Sequence, residues 1–160
     1  VLSLYAIQIE GKQISIDYRK AALPAIHGFP GELRQVLANL IGNAIDATPQ
    51  YGKISLRIRS TQYNGVPGIV LTVYDRGAGI PPEIRKRILE PFFTTKELKG
   101  TGLGLWLAKS IVLKHQGNLR FRSSILAGRS GTCFKVFLPI GQSPTSEESF
   151  SNSKPASRVN

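Results

Sequence analysis

Residues 31–48 do most to constrain how this chain can fold. Leu33, Val36, Leu37, Leu40, Ile41, Ala44 and Ile45 recur at helical spacing, and Pro49 stops the run. A stripe that long must be covered, and the sequence after it reads as sheet. Ile54, Leu56 and Ile58 alternate with Ser55, Arg57 and Arg59, the pattern of a half-buried strand. Ile69 to Tyr74 is a more continuously apolar strand, and Ile14, Ile16 and Tyr18 alternate in a short one after the Glu10-Gly11 turn. Pro81-Pro82 starts a short helix ending near Leu89, and irregular sequence runs from Glu90 to Gly100. A helix from about Leu103 to His115 ends at Gln116-Gly117. Strands at 118–124 and 132–138 follow, joined by the Gly128–Gly131 turn. With no internal repeat and no regular βαβ alternation, the expected class is α+β: a mostly antiparallel sheet with helices on one face.

At 160 residues the chain has room for one domain, and a chain this size needs no disulfide or metal staple. Its single cysteine, Cys133, cannot form an internal bridge, which favours a reducing, cytoplasmic setting; in a strand, it reads as inert. No apolar run reaches the roughly 18–20 residues that span a bilayer, and no signal peptide opens the chain, so no membrane contact is expected of it. Methionine is absent even at position 1, which marks the chain as a piece of a longer protein. Residues 141–160 carry six Ser, two acids and two bases, and read as a disordered, neutral tail. The formal net charge of +11 therefore falls on residues 1–140 and calls for an anionic partner, nucleic acid being the first that it brings to mind.

Three motifs narrow the anion. Glu32, Gln35, Asn39, Asn43 and Asp46 form one polar stripe on the long helix, opposite its apolar one. Asn is a mediocre helix former, and two of them a turn apart fit either a solvated face or carboxamide oxygens holding Mg²⁺ beside phosphates. Asp75-Arg76-Gly77-Ala78-Gly79-Ile80 ends an apolar strand. It reads either as a plain Asp-x-Gly turn or as a carboxylate accepting from an exocyclic amine such as that of adenine. Gly100-Thr101-Gly102-Leu103-Gly104-Leu105 stands directly before a helix, where bare backbone N–H groups and the helix dipole favour an anion. It is neither a P-loop nor a G-x-G-x-x-G turn, and no protein-kinase H-R-D or D-F-G triplet occurs.

Taken together, Asn39-Leu-Ile-Gly-Asn43-Ala, Asp75-x-Gly77-x-Gly79-Ile80, Pro91-Phe92-Phe93-Thr94-Thr95-Lys96 and Gly100-Thr101-Gly102-Leu103-Gly104-Leu105 resemble the N, G1, F and G2 boxes of the catalytic, ATP-binding domain of sensor histidine kinases. Gly131-Thr132-x-Phe134 and Leu138-Pro139 resemble the end of that domain, so the likeness covers about residues 10–140. It implies the two-layer α/β sandwich shared by gyrase, heat-shock chaperones, histidine kinases and mismatch-repair proteins. It assigns Asn43 as the Mg²⁺ ligand, Asn39 as its phosphate-side support, and Asp75 as acceptor of the adenine amine, with Thr132 behind it in a water-linked contact. Gly77, Gly79 and Ile80 shape the adenine pocket, and Gly100, Thr101, Gly102, Leu103 and Gly104 close on the phosphates. Residues 90–100 become a mobile lid anchored by Phe92 and Phe93. Lys96, and Lys99 behind it, then reach toward the phosphates, although an exposed lysine is more often simply solvated.

Two departures matter. ATP-hydrolysing relatives place a water-activating Glu where Asn39 stands, and a carboxamide is no general base, so transfer to an acceptor fits better than hydrolysis. Asp46 stands where many histidine kinases have a phosphate-contacting Lys. The phosphoacceptor is not recognisable here: neither His27, before Gly28-Phe29-Pro30, nor His115, at a helix end, has the acceptor context. The resemblance thus implies a kinase domain that binds Mg²⁺–ATP and phosphorylates a histidine on a separate helical domain. Its parent is expected to be a homodimer, membrane-anchored or not, that serves a response-regulator receiver domain. A related serine kinase or ATPase is the alternative. A nucleic-acid module using Arg57, Arg59, Arg120 and Arg122 is a remote third, with no binding motif to support it.

Overall fold

The computed structural model describes residues 1–95 and 100–144. Lys96, Lys99 and most of the 141–160 tail lie outside the described residues. The chain forms helix α1 (Ala6–Gly11) after a single 3₁₀ turn (Leu2–Tyr5), then strand β1 (Ser15–Lys20) and the long helix α2 (Pro30–Ala47). Strands β2 (Lys53–Tyr63) and β3 (Val66–Asp75), helix α3 (Gly104–Lys114), and strands β4 (Asn118–Ser124) and β5 (Gly131–Pro139) complete it.

The five strands make one sheet in the order β1-β2-β3-β5-β4. Only the β1–β2 pair is parallel, and the other three are antiparallel. The α2 stripe read from the sequence packs on one face of this sheet: Val36, Leu40, Ile41, Ala44 and Ile45 are its buried residues. Ala108, Ile111 and Val112 do the same on α3. They meet Ile54, Leu56, Val73, Phe134 and Val136 from alternate positions of the strands. The expected α+β sandwich, a mixed and mostly antiparallel sheet with helices on it, is the one observed.

Two local readings change. The N-terminal residues are helical where only a turn was expected, because tertiary contacts hold a segment too short to be stable alone. The Tyr5 hydroxyl donates to the Ala38 carbonyl at 2.8 Å, and the Ile14 N–H closes onto the Ile9 carbonyl. After Pro81-Pro82 a single 3₁₀ turn (Pro82–Ile84) replaces the expected helix to Leu89. Its bonds step mostly by three residues, from Ile84 to Pro81, Arg85 to Pro82, Arg87 to Ile84 and Glu90 to Arg87. Burial of Ile88 against the core holds the segment that follows the turn. No described helix is long and apolar enough to cross a membrane.

Candidate functional site

Helix α2, the end of β3 and the start of α3 converge on one cavity of about 630 Å³, within the range of small-molecule sites. The apolar stripe of α2 fixes the helix on the sheet, so its opposite stripe must face the opening. Asn39, Asn43 and Asp46 all line it. Asp75, Gly79, Ile80 and Thr132 come from the sheet end, and Gly100, Thr101, Gly102 and Gly104 from the loop before α3.

Asp75 is the last residue of β3 and is only 3% exposed. Its Oδ1 accepts from the Gly77 N–H at 2.9 Å and from the Thr132 N–H at 3.2 Å. Burial pushes its carboxyl above the ordinary aspartate range, while these backbone donors pull the other way. The contact from Thr132 is thus a direct one through its backbone. The Thr132 hydroxyl lies 2.9 Å from Ser123 Oγ, and Ser123 Oγ accepts from the Ile80 N–H at 2.8 Å. Ser123, which the motifs do not include, ties the glycine turn to β4. Its only sequence signal is its place on a strand, in register with Thr132.

Gly79 has φ +78°, and a Cβ there would stand 1.9 Å from the Ser124 carbonyl oxygen, so no other residue fits this turn. A Cβ at Gly104 would stand 3.2 Å from Asn39 Oδ1, which shows how closely the start of α3 approaches α2. The Asn39 Nδ2 group is buried and has no hydrogen-bond partner among the described residues. A buried amide donor is costly to leave unpaired, and a phosphate oxygen in this cavity is an acceptor of the right kind.

Other sequence-derived residues fall differently. Phe92 is 76% exposed and does not line the cavity; Phe93, packed against the core, does, together with Thr94 and Thr95. Gly77 and Leu103 are not among the residues that line the cavity. Lys96 lies outside the described residues. Tyr5 and Gln8 line the cavity although nothing in the sequence marks them. Burial and the nearby Asp46 carboxylate push the Tyr5 phenol above its ordinary value. His115 is buried, its Nε2 accepting from the Phe29 N–H at 3.1 Å and its Nδ1 lying 2.8 Å from the Ile111 carbonyl. With both ring nitrogens engaged by backbone, it serves packing.

Among the described residues no three His, Cys, Asp or Glu side chains cluster as a protein-only metal cage. The donor set fits a magnesium ion of the other kind, held by one or two side-chain oxygens together with substrate phosphates and water. Asn43 and Asp46, which carry side-chain oxygens of that kind, line the same cavity as Asn39.

A sandwich of this topology, with a carboxamide-bearing helix and a buried acid facing one cavity, defines a nucleotide-binding domain. Residues 28–142 match the family described as histidine kinase-, DNA gyrase B- and HSP90-like ATPases. The sensor kinase CckA of Brucella abortus is 38% identical over 152 residues, which span 86% of this chain and 16% of that protein. The nucleotide-free catalytic domain of the histidine kinase ThkA superposes with a TM-score of 0.72 at 29% identity, over 86% of each chain. Full-length ShkA in complex with AMPPNP gives 0.72 at 28%, over 89% of this chain and 29% of that one. The chain belongs to this ATPase family, as the catalytic, ATP-binding domain of a two-component sensor histidine kinase. It spans less than a fifth of the length of the CckA relative.

Proposed function

We propose that this domain binds ATP with Mg²⁺ and transfers the γ-phosphoryl group to a histidine on a separate helical domain of its parent. The observation that carries the reading is Asn39, a carboxamide rather than a carboxylate, in the same cavity as Asn43 and Asp75. A site without a base to activate water is poor at hydrolysis, whereas an imidazole brings its own lone pair. The bond between the γ-phosphorus and the β–γ bridging oxygen breaks, an N–P bond forms, and ADP leaves. Phosphoryl transfer needs positioning and charge neutralisation above all.

Asp75 fixes the adenine by accepting from its amine. The Asn39 N–H and the backbone around Gly100–Gly104 orient the phosphates. Lys96 is assigned to the γ-phosphate. Asn43 holds Mg²⁺, which when bound offsets the phosphate charge. The AMPPNP complex of ShkA supports the same use of the cavity here, since that ligand is an ATP analogue. The phosphohistidine then passes its group to an aspartate of a receiver domain, and the parent works as a homodimer.

The test is to mix this chain, Mg²⁺ and γ-labelled ATP with the acceptor-helix fragment of the parent. Label that is lost in acid and stable in base identifies phosphohistidine. Acid-stable label would assign a serine kinase, and steady release of phosphate without acceptor would assign an ATPase.

A further inference from the structure

The sheet has two faces, and the helices cover one. On the other, the register sets Arg19 beside Arg57, Arg57 beside Thr72, Thr72 beside Lys135 and Lys135 beside Arg120. Four of the five residues in this row across the whole sheet are cations. The neighbouring row ends in Arg122, next to Cys133. Strands lie about 4.8 Å apart, so the row is roughly 19 Å wide. Like charges directly opposite each other on adjacent strands repel, well inside the Debye length of about 8–10 Å.

Little among the described residues relieves this. Among the described strand residues, Asp17 is the one carboxylate on the face, and it lies 3.2 Å from Arg19 and 3.8 Å from Lys53. Arg120 sits over the neutral Tyr63 ring, 4.9 Å from its centroid. Arg57, Arg122 and Lys135 are not among the ion pairs of the described residues. Between the rows lies a recess of about 450 Å³, where half-buried Ser55, Thr72 and Tyr74 are surrounded by exposed arginines.

We propose that this open face docks an acidic surface of a partner protein, whose carboxylates seat among Arg19, Arg57, Lys135 and Arg120. Guanidinium forks match carboxylates in paired hydrogen bonds, and this row is mainly arginine. Among the described residues the row is built of strand positions, with no helix to enter a nucleic-acid groove. Its aromatic rings are not free for base stacking, Tyr74 being half-buried and Tyr63 under Arg120. None of the large exposed apolar side chains lies on it, so it lacks an anchor for a lipid surface. This inference is independent of the nucleotide cavity, which opens elsewhere and shares no lining residue with the recess.

The test titrates a labelled oligoglutamate peptide against the natural chain and two variants of equal net charge. Arg57→Ser with Lys135→Ser removes two charges from the row, and Lys86→Ser with Arg129→Ser removes two from elsewhere. The row variant is expected to bind about tenfold more weakly or worse, and the control within about twofold, with ATP binding unchanged in both. The row variant is also expected to melt higher, because the repulsion is relieved. Equal weakening of both variants would reduce the face to bulk charge and overturn the proposal. So would displacement of the peptide by ATP, or tighter binding of duplex DNA or phosphatidylserine vesicles than of oligoglutamate.

Discussion

At Asp75 the contacts that hold the fold can be separated from the proposed contact with the nucleotide. Its Oδ1 is committed to the Gly77 and Thr132 N–H groups, and an asparagine can keep both bonds through its own oxygen. Asp75→Asn should therefore fold normally while ATP binds about tenfold to a hundredfold more weakly, read by calorimetry. Retained affinity would remove Asp75 from the adenine contact. The pH dependence follows from burial, which raises this carboxyl when folded. A raised folded value means the charged form costs stability at neutral pH, and that cost disappears as pH falls through the folded value toward the ordinary one near 3.9. The natural chain should thus gain stability relative to Asp75→Asn on acidification. ATP affinity should fall in the same window, above the range where an ordinary aspartate titrates, because the adenine amine needs the ionised acceptor. Asn39 carries a second test. Asn39→Glu places a general base beside the phosphates, and phosphate release without any acceptor should rise, while transfer to the acceptor histidine should not.

At the scale of elements, α2 joins core and site, and this is why so much was legible. Its two stripes have the same period, so burying Leu40 and Ile45 forces Asn39 and Asn43 to the other side. Leu40 is fully buried, and Leu40→Ala should destabilise the domain by about 2–5 kcal/mol in urea melts, with ATP binding recovered where the chain is still folded. The glycine motifs were legible for a similar reason, since Gly79 stands where a side chain is sterically excluded and a Cβ at Gly104 would crowd Asn39. What the sequence hid depends on contacts between distant segments. Tyr5 reaches the cavity because the N-terminal 3₁₀ turn lies against α2, where the Tyr5 hydroxyl donates to the Ala38 carbonyl. Ser123 matters only because β4 and β5 place it beside Thr132. Phe92 and Phe93 are alike as neighbours in sequence, and the backbone decides between them: φ is +63° at Phe92, which turns one ring outward and leaves the other against the core. The Glu32–Lys114 pair at 2.7 Å likewise clasps the start of α2 to the end of α3, and neither residue announces it.

For the whole molecule the two proposals assign the excess of positive charge two separate uses, and salt distinguishes them. The chain carries +11, with 21 basic against 10 acidic residues. Part of that charge lies in the row across the open sheet face, where cations directly opposite each other are destabilising. Screening relieves that cost, so added sodium chloride should raise the thermal midpoint of the nucleotide-free chain. A triphosphate in the separate nucleotide cavity responds in the opposite sense, because screening weakens its attraction to the positive charge of the domain and to the helix N-terminus alike. Bound ATP stabilises by about 2.7 kcal/mol at a hundred times its dissociation constant, and this increment should shrink as salt rises at fixed ATP and Mg²⁺. The natural chain should therefore show a rising baseline and a narrowing gap between free and ATP-bound melts. In Arg57→Ser with Lys135→Ser the baseline should flatten while the gap narrows as before, since both residues lie outside the nucleotide cavity. A gap that changed with the row variant would mean that the two charged regions act as one field. Unchanged slopes in both curves would mean that the sheet arginines neither strain the fold nor await a partner.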